Sequence, residues 1–549
     1  MDTTDLVPAE LRARWVSEGH CPGVDLMTLF CRQVERHPDK TAVIDDHGAV
    51  SYADLAADAR RIGAYLHRVG VGPGDVVAMQ FPNQHQACAV DLAVASVGAI
   101  CLAFPILYRH NEVGSLLRRS GAVTSLFAQR FGDFDSAEMM THLRPELPAL
   151  RHLAVLGPAR PGCDSLEAVL AGPDPGRRPP RPVQPADPAR IIVTSGTEGE
   201  PKMVLYSHDG IGGGVANVLA AIRPDDETRF LLLPPLSTGF GALGTYGALA
   251  RFGVTLVVTS IFDPAATFKL IERERITHVF GVPTMLAMML EKDPAGVDLS
   301  SLRAVATFGA AMSHDRVRRT IEVFGTPFIN GYGCSDGALC MTGWDDPPDK
   351  TAATVGRPSA TLSQILILDD AGSELPAGEV GEICALGPMT PLRYFNSPDL
   401  DDRYRFAGGW VRTGDLGIID ADGYLRVVGR KKDIIIRGGF NISPAETEAA
   451  LLTHPAIAES ACVGVADQRL GERMCAVLVL REGAPLPDLA DIQAHLTAAG
   501  LARIKHPERI EAIDAMPLSP AGKILKRVLR ERIAKGPYAD AQPKGGTGG

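Results

Sequence analysis

Residues 193–204, VTSGTEGEPKMV, combine hydroxyl side chains, glycines and a lysine directly after a run of β-branched residues. Glycines let a backbone turn its N–H groups towards an anion, hydroxyls donate hydrogen bonds, and a lysine adds positive charge. The pattern predicts a phosphate-binding loop that differs from the G-x-x-x-x-G-K-[ST] type. Taken alone, it is also compatible with a glycine-rich surface turn. The residues that carry the prediction are Thr194, Ser195, Gly196, Thr197, Gly199 and Lys202.

Four further stretches add to this prediction. They are NGYGCSDGA (330–338), RTGDLG (412–417), GRKKDIIIRGGFNISPAETE (429–448) and PLSPAGKILKRVLRE (517–531). Tyr332 precedes the carboxylate of Asp336 by four residues, Asp415 follows a glycine, and Lys523 follows a glycine near the end of the chain. Each stretch alone also has an ordinary interpretation as a turn, an ion pair or a solvated helix lysine. The order of all five stretches therefore carries the functional argument.

In this order and spacing, the five stretches resemble the adenylate-forming superfamily of acyl-CoA synthetases, luciferases and peptide-synthetase adenylation domains. The resemblance extends from about residue 25 to residue 532, and PILYRHNEVGSLLRRSGA (105–122) is most similar to the branch that includes cyclohexanecarboxylate-type CoA ligases. It implies two steps. A carboxylate attacks the α-phosphate of ATP, with Mg²⁺ as cofactor, to give acyl-AMP and pyrophosphate. The thiol of coenzyme A then displaces AMP.

The resemblance also implies a role for each matching residue. Loop 194–202 would wrap the β- and γ-phosphates, Ser335 would contact the α-phosphate, and Lys523 would bridge that phosphate and the acyl carboxylate. Asp336 would hold Mg²⁺, at a position where the family usually has glutamate. The remaining assignments are Tyr332 on adenine, Gly309, Ala310 and Ala311 around the base, Asp415 and Arg430 on the ribose, Lys432 at the hinge, and Gly438 and Gly439 along the pantetheine channel.

The same resemblance implies that the acyl pocket is lined by Ser237, Thr238, Gly239 and Phe308. Thr238 replaces the family's usual histidine, and Phe308 replaces a glycine. The small side chains at 237–239 predict room for a bulky or cyclic carboxylate, whereas Phe308 narrows the pocket.

Glu198 in the phosphate loop leaves two interpretations open. At about 4 Å from a phosphate, its charge would cost roughly 1–4 kcal/mol at effective dielectric constants of 80 to 20. If Glu198 faces solvent, or if Lys202 and Mg²⁺ offset it, the protein is a complete acyl-CoA ligase. If not, the first step is weakened and the protein is a half-ligase that converts a supplied acyl-AMP into acyl-CoA. Such a half-ligase would need a partner adenylating enzyme.

Other functional classes are also compatible with the fold. A stand-alone adenylation enzyme, which would transfer the acyl group to a carrier protein and not to coenzyme A, remains an alternative. Amino acid substrates are disfavoured because LPPLSTGFGALGTYGALA (233–250) lacks the aspartate that would bind an α-amino group. A non-catalytic binding protein is disfavoured because Asp336 and Lys523 are present.

The elements that must position these residues follow from hydrophobic patterning. The 549 residues are 45% apolar, which predicts two or more domains with large cores. Short apolar runs such as 76–81, 229–235 and 327–333 alternate with helical patterns such as 52–70, so we expect an α/β fold of layered, mainly parallel sheets with helices over residues 1–430. A smaller α+β domain is predicted over residues 431–535, and the resemblance implies that this domain is mobile. A disordered tail is predicted over residues 536–549.

The resemblance implies a small-molecule carboxylate and coenzyme A as partners, and composition argues against several other partner classes. The net charge is −10 without a dense Lys/Arg tract, so we expect no nucleic-acid binding. The ten cysteines include no C-x-x-C pair, which favours a reducing cytoplasm over a disulfide framework. The most apolar run, 92–107, is shorter than the ~20 residues that a membrane span needs. The sequence is compatible with a homodimer and does not predict the oligomeric state.

Overall fold

The computed structural model describes residues 2–176, 183–194, 201–292, 294–309, 312, 314–437, 440–467, 470–519 and 522–535. The chain divides into two compact units. The first comprises residues 1–366, 384–413 and 420–425, and the second comprises residues 367–383, 414–419 and 426–549. The boundary predicted after residue 430 stays a prediction, and the tail predicted over 536–549 lies outside the described residues.

The strands are numbered here in chain order. They are β1 (Thr41–Asp45), β2 (Gly48–Ser51), β3 (Val76–Gln80), β4 (Ile100–Ala103), β5 (Thr124–Ala128), β6 (Arg130–Phe131), β7 (Phe134–Asp135), β8 (His152–Leu156), β9 (Asp164–Ser165), β10 (Pro188–Val193), β11 (Met203–Ser207), β12 (Arg229–Leu232), β13 (Thr255–Val257), β14 (His278–Gly281), β15 (Ala304–Phe308), β16 (Phe328–Gly333), β17 (Leu339–Met341), β18 (Gln364–Leu368), β19 (Gly381–Leu386), β20 (Arg393–Tyr394), β21 (Val411–Ile419), β22 (Leu425–Arg430), β23 (Ile435–Arg437), β24 (Phe440–Ile442), β25 (Ile457–Asp467), β26 (Gly471–Leu480) and β27 (Arg509–Ala512).

The helices follow the same numbering. They are α1 (Ala9–Ser17), α2 (Leu26–Arg36), α3 (Tyr52–Arg68), α4 (His85–Ser96), α5 (His110–Ser120), α6 (Ser136–Leu143), α7 (Leu166–Leu170), α8 (His208–Ala221), α9 (Pro264–Glu274), α10 (Pro283–Leu290), α11 (His314–Phe324), α12 (Pro348–Ala353), α13 (Pro398–Tyr404), α14 (Pro444–Leu451), α15 (Leu489–Ala498) and α16 (Lys526–Lys535), with a π-helical segment at Leu243–Phe252.

Several helices begin where a side chain caps the first turn. Ser51 accepts a hydrogen bond from the backbone N–H of Asp54 at the start of α3, and Ser207 does the same for Gly210 at the start of α8. These caps satisfy N–H groups that have no partner inside the helix. The sequence therefore sets the start of both helices locally.

Two eight-stranded sheets form the first unit. One has the order β17-β16-β15-β14-β12-β13-β1-β2, and the other has the order β20-β11-β10-β4-β3-β5-β8-β9. Most neighbouring strands are parallel, whereas antiparallel pairs lie towards the ends of the sheets, as in β16–β17 and in β20–β11–β10. Parallel strands bring their carboxyl ends to one edge of a sheet, where ligands bind in such folds.

Alternating side chains of the strands build cores on both faces of the second sheet. On β3, Val77 and Met79 belong to a core that includes α3, α4 and strands of both sheets. Val76 and Ala78 belong to a separate core with α5 and α6. Because both faces are covered, the strands are apolar throughout, as the sequence predicts.

The second unit contains a smaller sheet of order β24-β23-β26-β25, with β27 parallel to β26. Its two long strands, β25 and β26, pair antiparallel, and helices α14 and α16 pack on β25. A four-stranded sheet of order β18-β19-β21-β22 has residues in both units, and a turn with Asp422 and Gly423 connects β21 to β22. The predicted α/β fold of layered, mainly parallel sheets with a separate C-terminal α+β unit is confirmed.

The apolar run 92–107 is not a spanning segment. It covers the end of the buried helix α4 and the whole of β4, which together with Phe104 are part of the core. Among the described helices, none has the length and hydrophobicity that crossing a membrane requires.

Candidate active site

The ends of the predicted phosphate loop are held together by two antiparallel strands. Val193 of β10 pairs with Met203 of β11, and the N–H of Thr194 donates to the carbonyl of Lys202 at 3.0 Å. Met203, which stands where the family usually has glycine, is fully buried in the core as the first residue of β11. The predicted loop residues Ser195, Gly196, Thr197 and Gly199 lie outside the described residues, as does Glu198.

The Ser335–Asp336 segment forms a tight turn after β16. The N–H of Cys334 donates to the carbonyl of Ala338, and the N–H of Gly337 donates to the carbonyl of Cys334 at 3.0 Å. Gly337 has a φ of +103°, which disfavours any other residue there. The hydroxyl of Tyr206, on β11, donates to the carbonyl of Ser335 at 2.6 Å. The turn is therefore fixed to the strand that follows the predicted phosphate loop.

Lys202 and Asp336, which lie far apart in sequence, come together in the fold. The ammonium nitrogen of Lys202 lies 3.6 Å from Oδ1 of Asp336, a carboxylate that is 8% exposed. The phenol of Tyr394 donates a hydrogen bond to the same oxygen. The Lys202 ammonium also lies 3.7 Å from the ring centroid of Tyr404.

Tyr394 and Tyr404 were not predicted as site residues. The local signal is an aromatic pair, Tyr394 and Phe395, before an N-S-P turn at 396–398, and this predicts a strand end without indicating its neighbour. The position of Asp336 beside Lys202 is what makes these two aromatic residues relevant to the site.

Asp336 has the chemistry that a hard cation requires. Its Oδ1 receives the Tyr394 hydroxyl, while no group within the described part of the chain donates a hydrogen bond to its Oδ2. A carboxylate oxygen is a preferred ligand of Mg²⁺, which commonly takes only one or two carboxylates from the protein. The residues present therefore fit the predicted magnesium ion.

The predicted acyl segment lies against the Ser335 turn. A Cβ atom added to Gly239 would lie 3.9 Å from Oγ of Ser335 and 3.5 Å from the Ile192 side chain on β10. The Thr238 hydroxyl donates to the carbonyl of Pro235 at 2.8 Å. Ser237 is buried, and its hydroxyl has no hydrogen-bond partner among the described residues. One edge of the unit thus brings together the acyl segment, the turn and the base of the loop.

Phe308 belongs to a cluster of three aromatic rings. It stacks on Phe280 with ring centroids 5.6 Å apart, and Phe240 packs against both rings. Phe280 and Phe308 are buried, whereas Phe240 is half-buried. A Cβ atom at Gly331 would come within 2.1 Å of the Phe308 ring, so the large side chain at 308 requires glycine at 331.

The predicted adenine residues occupy neighbouring strand ends. Phe308 of β15 pairs with Gly331 of β16 in parallel, which places Gly309 and Tyr332 just beyond this pair on adjacent strands. Gly309 has a φ of +108°, so the chain turns sharply after β15. Ala310 and Ala311 lie outside the described residues.

Two buried side chains hold the backbone of the acyl segment. Asn83 accepts from the N–H of Leu236 at 2.8 Å and donates to the carbonyl of Pro234 at 3.2 Å. Arg190 donates to the carbonyl of Leu236 at 2.8 Å and pairs with Asp91. Three backbone groups just before Ser237 are therefore fixed by side chains from distant parts of the chain.

The second unit carries the predicted ribose residues on its strands. Asp415 of β21 is buried, and Nε of Arg430, the last residue of β22, lies 3.1 Å from its Oδ1. Lys432 is exposed in the turn that follows β22. The predicted channel residues Gly438 and Gly439 lie outside the described residues.

Lys523 lies on a turn before α16. Its N–H donates to Oγ of Ser519 at 3.1 Å, and its carbonyl accepts from the N–H of Ser519 at 2.7 Å. Gly522 has a φ of +75°, which a turn before Lys523 requires. The backbone of the lysine is therefore fixed, and its side chain is half-buried.

Comparison with known proteins identifies the family. Residues 30–395 match the model of AMP-binding enzymes, and residues 446–523 match that of the AMP-binding enzyme C-terminal domain. The chain belongs to the AMP-binding enzyme family. The predicted membership of the adenylate-forming superfamily is thus confirmed, and the chain is an adenylate-forming ligase that binds ATP. The roles predicted for individual residues stay predictions.

Among the relatives of this AMP-binding enzyme are proteins of similar length. It is 35% identical to triostin synthetase I of Streptomyces triostinicus, with 96% of this chain and 97% of that protein covered. It is 33% identical to a salicyl-AMP ligase / salicyl-S-ArCP synthetase of Mycobacterium tuberculosis, with coverage of 96% and 95%. The crystal structure of the anthranilate CoA ligase AuaEII in complex with anthranoyl-AMP superimposes with a TM-score of 0.84 at 25% identity, covering 92% of this chain and 97% of that one.

Proposed function

We propose that this enzyme activates a cyclic, most simply an aromatic, carboxylic acid with ATP and transfers its acyl group to the thiol of coenzyme A. The observation that carries the proposal is the proximity of Gly239 to Ser335, because a Cβ atom added at 239 would lie 3.9 Å from Oγ of Ser335. It puts the predicted acyl segment next to the turn that would bind the α-phosphate and the magnesium ion. An acid in the pocket would then present its carboxylate to the α-phosphorus.

The aromatic nature of the acid is supported by two observations. The half-buried ring of Phe240, which packs on the buried rings of Phe280 and Phe308, provides an apolar surface next to the small residues 237–239. Two proteins similar to this chain are described as ligases of salicylate and anthranilate. Aromatic rings pack favourably on each other in offset or edge-to-face geometry, which an aliphatic chain cannot do.

The proposed chemistry balances in two steps. A carboxylate oxygen attacks the α-phosphorus, the bond to the bridging oxygen breaks, and pyrophosphate leaves. The sulfur of coenzyme A then attacks the carbonyl carbon, the bond to the phosphate oxygen breaks, and AMP leaves while the thiol loses its proton. The mixed anhydride makes a good leaving group of what was a carboxylate oxygen.

The residues of the chain would act at defined points. Lys202 would contact the terminal phosphates, Ser335 the α-phosphate, and Tyr332 with Gly309 the adenine. Asp415 and Arg430 would hold the ribose hydroxyls, and Lys523 would stabilise the negative charge at the α-phosphate during attack. Magnesium bound through Asp336 would neutralise phosphate charge.

The test is a panel of aromatic, alicyclic and aliphatic acids supplied with ATP, Mg²⁺ and coenzyme A, with the thioester measured by mass spectrometry. We expect the aromatic or alicyclic acids to give the largest kcat/KM. A preference for straight-chain fatty acids would contradict the proposed acyl class. A protein that forms no adenylate with any acid, by pyrophosphate exchange, would contradict the complete ligase.

The same panel separates the alternatives. If thioester forms from synthetic acyl-AMP but pyrophosphate exchange is absent, the protein is the half-ligase that Glu198 suggests, and a partner adenylating enzyme must supply its substrate. If exchange is rapid and coenzyme A is not acylated, a carrier protein is the acceptor. The similarity to a salicyl-S-ArCP synthetase is the observation that favours this second candidate.

Replacing Phe240 tests the apolar surface next to residues 237–239. Because its ring is half-buried against Phe280 and Phe308, Phe240→Leu removes a flat face and keeps apolar volume. We expect kcat/KM for an aromatic acid to fall about two- to tenfold, which corresponds to the ~0.5–1.5 kcal/mol of an aromatic pair. Activity with an alicyclic acid of the same size should change less than twofold. Equal losses with both acids would show that the ring face does not contact the substrate.

Replacing Asn83 tests how the acyl segment is held. Asn83→Ala leaves the N–H of Leu236 and the carbonyl of Pro234 without their buried partner, at a cost of about 1–3 kcal/mol. The segment should shift, so that KM for the acid rises about tenfold while KM for ATP stays within twofold.

Gln33→Ala is the matched control for Asn83→Ala. Gln33 is a buried amide that donates to the carbonyls of Ala250 and Arg251, outside the acyl segment. This variant should leave both KM values unchanged. If Asn83→Ala raises the KM of acid and ATP alike, Asn83 supports the fold in general and not the acyl segment.

A further inference from the structure

The carboxylate of Asp336 is held by two side chains, and one of them, Tyr394, has no role in the proposed reaction. The Tyr394 phenol donates to Oδ1, and the Lys202 ammonium approaches the same oxygen at 3.6 Å. Both contacts fall on Oδ1. The other oxygen, Oδ2, accepts no hydrogen bond within the described residues, so it is the oxygen that can reach a cation.

Tyr394 is itself fixed by its main chain. It lies on β20, opposite Val204 of β11, and its N–H donates to Asp401 at 2.9 Å. Its ring is fully buried. An ionised carboxylate can only accept hydrogen bonds, so the phenol is the donor in this contact.

Tyr404, the last residue of α13, provides a second aromatic contact. Its ring centroid lies 3.7 Å from the Lys202 ammonium and 5.9 Å from the Tyr394 ring. The Lys202 ammonium also lies 5.2 Å from the Tyr394 ring centroid. A cation over an aromatic face is attracted to it, and the attraction grows when water is excluded. The two rings thus hold the lysine next to the carboxylate.

We propose that Tyr394 and Tyr404 are positioning residues for ATP binding: Tyr394 orients the Asp336 carboxylate so that Oδ2 faces the magnesium ion, and Tyr404 holds Lys202 where the terminal phosphates bind. This inference rests on the proposed function. Aspartate is one methylene shorter than the glutamate expected at position 336, so its carboxylate cannot adjust its reach as freely. A fixed hydrogen bond to Oδ1 compensates for this by setting the direction of Oδ2.

The experiment measures ATP binding by calorimetry, without any acid, in Mg²⁺ and in EDTA. Tyr394→Phe removes one hydroxyl, so we expect ATP to bind about tenfold more weakly in Mg²⁺ and within twofold of wild type in EDTA. Tyr404→Leu removes the ring face, so ATP should bind about three- to tenfold more weakly in both buffers. Tyr404→Phe keeps the face and should restore wild-type binding.

Tyr65→Phe is the matched control, because the Tyr65 phenol donates to Asp164 at 2.8 Å in a part of the first unit that holds no predicted site residue. It should bind ATP as wild type does. The inference is overturned if Tyr394→Phe weakens binding equally in both buffers or in neither, or if Tyr404→Leu and Tyr404→Phe behave alike. Melting temperatures identify a variant that fails to fold. If Tyr394→Phe fails to fold, the comparison of Tyr404→Leu with Tyr404→Phe still tests the contact between Tyr404 and Lys202.

The outcome is separable from that of the proposed function. A protein that binds ATP with the expected pattern but makes no adenylate from any acid contradicts the proposed function and leaves the inference standing. A protein with full acid activation and unchanged ATP binding in all these variants contradicts the inference alone.

Discussion

Lys523→Ala is expected to lower the rate of ATP–pyrophosphate exchange by about a hundred- to a thousandfold. The lysine is assigned to the point where the acyl carboxylate meets the α-phosphate, and there negative charge increases in the transition state. In other enzymes, removing one hydrogen-bond donor that is positioned for a developing negative charge lowers kcat by a factor of this size. The turn at Ser519 and Gly522 fixes the backbone of Lys523, so the loss should be one of charge and not of folding.

Thioester formation from a synthetic acyl-AMP should fall less than tenfold in Lys523→Ala, because the α-phosphate has already been attacked in that substrate. Arg527→Ala is the control, since Arg527 is exposed on α16 and pairs with Glu531 at 2.5 Å. Both rates should stay near wild type in this control. Unchanged exchange in Lys523→Ala would remove Lys523 from the adenylation step, and equal loss in both half-reactions would point to a structural role.

Arg190→Met is expected to give the largest loss of stability. The free energy of unfolding of the first unit, measured in urea, should fall by about 3–5 kcal/mol. Arg190 and Asp91 form an ion pair in which each side chain is 1% exposed. Burial is the largest influence and opposes the charge of Arg190, but the carboxylate of Asp91 together with nearby Cys101 and Tyr246 raises the pKa of Arg190 overall. Removing the arginine leaves a carboxylate without its cation in the core, together with the unsatisfied carbonyl of Leu236.

Arg118→Met is the matched control, because Arg118 pairs with Glu146 at 3.1 Å on the surface, with 55% and 61% of the side chains exposed. That pair should contribute less than about 1 kcal/mol. Replacing both buried partners, as Asp91→Leu with Arg190→Met, should recover much of the stability, since an apolar pair needs no charge compensation. Equal effects of Arg190→Met and Arg118→Met would contradict a buried pair.

Arg190 links the stability of the first unit to its site. The same guanidinium that pairs with Asp91 donates to Leu236, next to the predicted acyl segment, and the strand that carries it, β10, leads into the predicted phosphate loop. Two glycines near the site are also required by the surrounding structure. Gly331 accommodates the Phe308 ring, and Gly337 allows the turn that carries Asp336.

The sequence by itself determined the superfamily and the layered α/β fold. Continuous apolar runs such as β3 and β14 are local signals of buried parallel strands, and capping residues such as Ser51 mark helix starts, so neither requires knowledge of distant contacts. The order of the motifs around Lys202, Asp336 and Lys523 can likewise be read directly from the sequence. From these signals the segments of the site could be predicted, although not their geometry.

Only the tertiary structure decided which side chains meet at the site. The hydroxyl of Tyr394 and the ring of Tyr404 act on Asp336 and Lys202 through hydrogen bonding and cation–π attraction, and both interactions fade within a few ångströms. Asn83 reaches Leu236 in the same way. Residue spacing in the sequence carries no information about such distances, because sheet order and strand register set them. These contacts arise where strands from separate parts of the chain are brought side by side.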